Sequence, residues 1–359
     1  MLGKTVQIIG VGQCGCRLGM TFEKQGIPAL YINSDEVDFR DFNARPDQTL
    51  LIEGSGTGGS PSKGAELFRK HKSSIISFLR ERLDKNKIIW VLWGSGGGTG
   101  NSIGPLLLEY LSEHKYVTGC ITTLPPKMLD ILATDNAMKT LKKLKDVNTR
   151  MTVLADNEYL VNKIGVGGDW WKKVNSHICS TILSAFDLLR EGKTTQSGLG
   201  SIDKGEIMRI MQYGNGLTDV RVVYLSPYDF DLENKDLLKK LLEPSLIEGY
   251  NYKNTLAYLV GIDLPRQGNY TEISKKIFDS TRASFGNAIS RLGMFVDPFL
   301  NDVIRVTMIN AGLKLPKSLK VKMNNLKRDE ARFIEKRNRE ETMDFSELEE
   351  GVLEEDFQL

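Results

Sequence analysis

Three short apolar runs in the first hundred residues each pass directly into a cluster of glycines. Thr5–Ile9 leads into Gly10-Val11-Gly12-Gln13-Cys14-Gly15-Cys16, and Thr49–Ile52 into Gly54-Ser55-Gly56-Thr57-Gly58-Gly59-Ser60-Pro61. Ile88–Trp93 leads into Gly94-Ser95-Gly96-Gly97-Gly98-Thr99-Gly100-Asn101-Ser102. Apolar runs of this length bounded by glycine read as strands buried on both faces. In a parallel sheet, the loops that follow the strands emerge on one edge, where ligands sit. Glycine lets backbone N–H groups approach an anion closely, and a following helix N-terminus adds a favourable dipole. Three such loops on one edge can wrap a polyphosphate from several sides.

The remaining apolar runs of the first half, Ala29–Ile32, Val117–Thr122 and Met151–Leu154, alternate with helical patterns that include Ala65–Leu83 and Asp135–Leu144. This alternation predicts an α/β fold, a Rossmann-like parallel sheet with helices on its faces. Next, Val174, Ile178, Ile182, Ala185 and Leu189 recur at three- and four-residue spacing, with Cys179, Leu183 and Phe186 on an adjacent stripe. A helix apolar over so much of its circumference is buried on more than one side, and it reads as a long central helix. Strands at Val220–Leu225, Leu256–Ile262 and Val303–Ile309, with helices at Lys235–Leu242 and Thr271–Leu292, predict a smaller α+β domain. The expected divisions are residues 1–168, 169–203, 204–313 and 314–359.

Composition excludes several classes. Lys plus Arg minus Asp plus Glu is 48 − 46 = +2, so the whole chain favours no polyanionic partner. The four cysteines, Cys14, Cys16, Cys120 and Cys179, form no disulfide scaffold, and three histidines give no zinc spacing. No apolar stretch approaches the ~20 residues of a membrane helix, and a strand begins too early for a signal peptide. The expected compartment is a reducing cytoplasm. The last segments are polarised. Residues 314–339 hold ten Lys/Arg against three Asp/Glu, and residues 340–359 hold nine Asp/Glu and no Lys or Arg. Opposite charge blocks read as a basic helix and an acidic interaction tail, or as a solvated helix with a solubilising end.

Taken alone, Gly10-x-Gly12-x-x-Gly15 after a strand is a dinucleotide fingerprint, with Asp35 as its ribose ligand, and keeps an NAD- or FAD-dependent oxidoreductase open. Such a site needs one phosphate loop, whereas this chain has three. No Walker pattern is present.

The run Gly96-Gly97-Gly98-Thr99-Gly100-Asn101-Ser102 closely resembles the Gly-Gly-Gly-Thr-Gly signature of the tubulin/FtsZ superfamily. The resemblance extends to about Gly312: Gly10–Cys16, Asn33-Ser34-Asp35 and Gly54–Pro61 are similar to that family's first three nucleotide loops. Pro125–Asp130 resembles its ribose loop, and Ala155-Asp156-Asn157-Glu158 the segment whose Asn reads guanine. The resemblance implies a GTPase that binds GTP or GDP with Mg²⁺. Its contacts would come from Gly12, Gln13, Cys14, Cys16, Asn33, Gly56, Thr57, Gly58, Gly96, Gly97, Gly98, Thr99, Gly100, Asn101, Asp130, Asn157, Trp171 and Asn175. Trp171 and Asn175 stand four apart, one helical turn, matching the family's pairing of a stacking aromatic with a base-reading Asn; a buried core role for Trp170-Trp171 is the alternative.

Ser201-Ile202-Asp203-Lys204-Gly205-Glu206 resembles the loop whose acids act on the nucleotide of the next subunit, making Asp203 and Glu206 the catalytic candidates; acids at a helix start are also ordinary caps. Ser201 stands where that loop usually has Asn. Within the superfamily, length and charged terminal segments are most similar to TubZ, the plasmid- and phage-borne group. That resemblance implies head-to-tail filaments that segregate DNA through a small DNA-binding adaptor, TubR, contacting the C-terminal region. A cell-division protein of the FtsZ type is the nearest alternative.

Overall fold

A computed structural model describes residues 2–40, 45–126, 131–144, 151–165, 167–188, 204–213 and 216–321, together with 325 and 328. The chain forms two compact units, residues 1–315 and 316–359.

In the first unit, strands and helices alternate: β1 (Val6–Val11), α1 (Gly12–Glu23), β2 (Ala29–Asp35), α2 (Glu36–Arg40), β3 (Thr49–Gly54), α3 (Pro61–Lys70), α4 (Lys72–Arg80), β4 (Ile88–Gly94), α5 (Thr99–Glu113), β5 (Val117–Leu124), α6 (Ile131–Lys143) and β6 (Met151–Asp156). There follow α7 (Asn157–Ile164), α8 (Trp170–Asp187), α9 (Lys204–Gln212), β7 (Leu217–Leu225), α10 (Asn234–Leu241), β8 (Ala257–Leu264), α11 (Thr271–Phe285), β9 (Ile289–Val296) and β10 (Ile304–Leu313).

Among the described residues, one ten-stranded sheet contains all of these strands, in the order β3-β2-β1-β4-β5-β6-β7-β10-β8-β9. The strands from β3 to β6 are parallel, as the apolar runs predict. Strand β7 joins β6 through only Thr152↔Leu217 and Val153↔Thr218, then pairs antiparallel with β10. The mixed second half is therefore joined to the parallel half by a narrow seam.

Helix α8 is the expected central helix. Val174, Ile178, Cys179, Ile182 and Phe186 are buried in the core shared with β1, β4 and β6. Phe186 packs on Trp90 and Phe22, with ring centroids 5.1 and 6.1 Å away. A second core lies between β7, β8, β10, α10 and α11.

Two expected helices differ. The stretch Ala65–Leu83 is two helices, broken at His71, which leaves helical geometry at φ −103°, ψ 15°. The stretch Thr271–Leu292 stops at Phe285, because Gly286 takes φ +58°, a left-handed conformation suited to glycine. Ile289–Val296 then pairs with β8 as a strand. In the second unit, residues 317–321 are helical; the rest of the expected basic helix and the acidic segment lie outside the described residues, apart from 325 and 328.

Replacing Phe186 by Ala should destabilise the protein by ~3–5 kcal/mol, the cost of emptying a large buried aromatic site. Urea unfolding checks this; a change near zero would mean that α8 does not organise the core.

Candidate nucleotide site

The three glycine segments come together because helices start almost where strands end. Strand β1 ends at Val11 and α1 begins at Gly12; β4 ends at Gly94 and α5 begins at Thr99. The two helix starts nearly touch: a Cβ on Gly12 would lie 2.9 Å from the Gly100 backbone nitrogen. Gly12 also has φ +66°, which a larger residue adopts only with strain. Two helix N-termini with unsatisfied N–H groups side by side form a positive end suited to phosphate.

Around them opens a cleft of about 840 Å³, lined by all three glycine segments, the ends of β2 and β5, and the first turns of α7 and α8. Hydroxyls tie its floor together: Ser34 Oγ lies 2.6 Å and Thr57 Oγ1 3.3 Å from Thr99 Oγ1. On the α1 side, Asp38 accepts from Gln13 Nε2 at 2.5 Å and from Asn33 Nδ2 at 2.8 Å. Cys14 Sγ sits 3.2 Å from Thr123 Oγ1, and burial pushes its thiol pKa up, keeping the group neutral beside an anion site.

At the other end of the cleft are Asn157, Trp171 and Asn175. Asp156 caps α7 by accepting from the Glu158 N–H at 3.0 Å, which holds Asn157 at the mouth of the pocket. Asn157 is 9% exposed, yet among the described residues its side-chain oxygen has no hydrogen-bond partner. A buried unsatisfied amide oxygen costs about 1–3 kcal/mol, and a ligand N–H would satisfy it. The Arg17 guanidinium lies 4.8 Å from the centre of the Trp171 ring.

Of the residues expected from sequence, Gly12, Gln13, Cys14, Asn33, Gly56, Thr57, Gly58, Gly96, Gly97, Gly98, Thr99, Gly100, Asn157, Trp171 and Asn175 line this one cleft. Two expected contact residues do not. Cys16 is fully buried, its thiol directed at the Gly10 and Ile32 carbonyls. Asn101 is also buried and donates to the Asn136 carbonyl at 3.0 Å, so it braces α5 against α6. Both were assigned to loops, but they lie within helices and turn toward the interior. Asp130 and Asp203 lie outside the described residues. Glu206, in α9, does not line the cleft and pairs with Arg291 on β9, with Oε1 2.8 Å from Nε.

Sequence reasoning missed Arg17, Asp38 and Asn136. Asn136 Nδ2 donates to both the Gly59 and Gly96 carbonyls at 3.0 Å, clamping two glycine segments together. Only Arg17 had a local signal: it follows Gln13 by four residues and so shares its helix face.

Residues 5–165 match the model of the tubulin/FtsZ family, GTPase domain. Over those residues the chain carries a GTPase domain of the tubulin/FtsZ type. Its nucleotide is GTP or GDP, with Mg²⁺. The chain is 24% identical to the cell division protein FtsZ 1 of Pyrococcus horikoshii over 316 residues, covering 86% of this chain and 81% of that protein. The structure of CetZ from Methanosaeta thermophila superposes with TM-score 0.79 at 21% identity, covering 96% of each chain. A GTPγS-form protofilament of TubZ from Bacillus thuringiensis gives TM-score 0.77 at 17% identity, covering 94% of each. These likenesses fix the fold of the whole first unit.

The cleft fits this nucleotide: glycine-lined helix starts suit the phosphates, and the open Asn157 oxygen suits a purine N–H. Among the described residues, no group of three or more His, Cys, Asp or Glu is arranged to hold a metal. Mg²⁺, which keeps water and phosphate oxygens among its ligands, would be held from the protein side by Asp38, Thr57 and Thr99, which line the cleft, and would offset phosphate charge.

Gly97 separates ligand binding from folding. An added Cβ there meets no protein atom within 4 Å, so Gly97→Ala should keep the wild-type melting temperature. If phosphate occupies that space, GTP affinity should fall roughly tenfold or more, since the methyl blocks close approach of the backbone. Titration with a fluorescent GTP analogue reads this directly; undiminished affinity would move the phosphates elsewhere.

Proposed function

We propose that the protein is a polymerising GTPase whose subunits stack head to tail, with GTP hydrolysed at the junction between them. The carrying observation is that Glu206 does not line the cleft and is set apart from it by the length of α8. Helix α8 starts at the base pocket with Trp170 and runs 18 residues, about 27 Å at 1.5 Å per residue. Glu206 precedes Ile207, which lines a small core cavity with Trp90, Ile182, Ala185 and Phe186; it therefore sits near the C-terminal end of α8, roughly 15 Å along the helix from Asn175 at 1.5 Å per residue, and pairs with Arg291 on β9. Glu206 therefore cannot serve the nucleotide in its own cleft. A second subunit, stacked so that its α9 end faces the cleft, supplies Asp203 and Glu206 in trans. The protofilament form of the TubZ neighbour supports the same arrangement.

In this reading the glycine segments and the α1 and α5 N-termini bind the phosphates, Asp130 the ribose, and Asn157, Trp171 and Asn175 the base. The acids of the incoming subunit orient a water, which attacks the γ-phosphorus. The bond from that phosphorus to the β–γ bridging oxygen breaks, giving GDP and inorganic phosphate. Positioning by a residue from a partner is worth ~10³–10⁵ in rate in other GTPases. A head-to-tail interface that does not close on itself yields an open filament, and hydrolysis weakens it so that the polymer turns over.

The biological reading is DNA segregation of the TubZ kind, in the cytoplasm, with a DNA-bound adaptor of the TubR type engaging residues 314–359. Their opposed charge blocks support it. A second reading, a division protein of the FtsZ type, is favoured by the likeness to FtsZ 1 across 86% of the chain. Loss of adaptor binding on deleting residues 314–359 would support the first; filaments that recruit no DNA-bound partner would favour the second.

Light scattering with GTP, ATP and a non-hydrolysable GTP analogue, alongside phosphate release, tests the polymerising GTPase. Scattering should rise only with guanine nucleotides and persist with the analogue, and phosphate release should begin above a critical concentration. Asp203→Ala and Glu206→Ala should each bind GTP and polymerise while releasing phosphate roughly a thousandfold more slowly. Wild-type turnover in either polymer would remove that residue from the mechanism.

A further inference from the structure

The ion pair that holds Glu206 has a role of its own. Helix α9 is fixed from inside by Ile207 and Ile210, 3% and 2% exposed, which leaves Glu206 on the outer side of its first turn. Arg291 reaches it from β9, the last strand of the sheet. Arg291 is itself held by its neighbour's backbone, Nη1 donating to the Ser290 carbonyl at 2.8 Å. Both side chains are about 30% exposed, so the pair stands at the surface, where a second copy can reach it. Arg291 Nε itself is buried, but an ion pair between side chains this exposed contributes little to folding. It does restrict a side chain with three rotatable bonds, which would otherwise have to be ordered when the subunits meet.

We propose that Arg291 is a positioning residue that aims the Glu206 carboxylate at the nucleotide of the adjoining subunit. The proposal rests on the reading of Glu206 as an acid acting in trans. The physical need is twofold. A carboxylate approaching a triphosphate meets like-charge repulsion that strengthens as water is excluded, and a guanidinium at 2.8 Å offsets it. Small displacements of an orienting group also cost rate steeply, and an arginine anchored on a strand limits them.

The test uses the full chain and measures phosphate release per polymerised subunit. Arg291→Ala should lower turnover about ten- to a hundredfold, with GTP affinity of the unassembled subunit unchanged. Arg291→Lys, which keeps the charge, should recover part of the loss. Combining Arg291→Ala with Glu206→Gln supplies the readout that a structural role would not move. If Arg291 acts through Glu206, removing it from the Glu206→Gln chain costs nothing further; an independent structural role lowers turnover equally in both backgrounds.

Wild-type turnover in the Arg291→Ala polymer, or an additive loss, overturns the proposal. Failure of both the Ala and Lys variants to assemble overturns it too, because Arg291 would then build the interface rather than aim the acid. A Glu206→Gln polymer that turns over at the wild-type rate removes the underlying reading of Glu206, a result distinct from any outcome at Arg291.

Discussion

Helix α1 lies so close to β1 and β4 that a single methyl group on Gly15 would meet the Leu92 carbonyl oxygen at 2.1 Å. Gly10 is equally confined, a Cβ there falling 2.6 Å from the Gly15 carbonyl. Only glycine permits this approach, and the nucleotide cleft depends on it. It brings the start of α1 against the start of α5 and lets two helix dipoles converge on one point, where either alone would bind an anion weakly. Side-chain hydroxyls and the Asn136 clamp complete the cradle, but they act on a backbone whose position the glycines have set.

The central helix turns this local device into a property of the assembly. Its first turn belongs to the base pocket, through Trp171 and Asn175, and its last, through Asp187, joins the ion-pair cluster around Arg305 with Asp263 and Asp297. Its interior packs against the parallel sheet. A rigid rod of this length separates the two ends of the subunit by more than any side chain spans. Glu206, near its far end, does not line the cleft of its own subunit, and in the proposed stacking it would serve the cleft of another.

Much of this was legible in the sequence because it is written at short range. A strand running into glycines, three times over, gives the parallel sheet, its ligand edge and most of the cleft. Helix periodicity gives α8. Features that depend on contacts between distant segments left no such trace. Ile289 and Leu292 continue the apolar spacing of α11, so β9 is hidden until Gly286 is seen to break the helix and β8 to offer an edge. Asn136 clamps Gly59 to Gly96 across 77 and 40 residues, which no local pattern announces. Cys16 and Asn101 mislead in the opposite way. They sit inside matching motifs, yet the helices start early enough that residues four beyond Gly12 and two beyond Thr99 rotate inward, while Gln13, Cys14 and Arg17 share the open face.

The division of labour follows from what each half can hold rigidly. Binding a triphosphate needs many fixed N–H groups converging on one place, and parallel strands feeding helices supply them within one subunit. Orienting water against the γ-phosphate needs negative charge, which would weaken nucleotide binding if it were always present in the same cleft. In the proposed assembly Glu206, outside the cleft of its own subunit, would add its charge only with a neighbour, so that the isolated subunit meets the nucleotide with no carboxylates, among the described residues, beyond Asp35 and Asp38. In that reading hydrolysis would be tied to assembly by electrostatics rather than by a moving part. The proposed role of Arg291 fits the same logic, since its guanidinium, 2.8 Å from Glu206, would temper the acid's charge as it nears the phosphates.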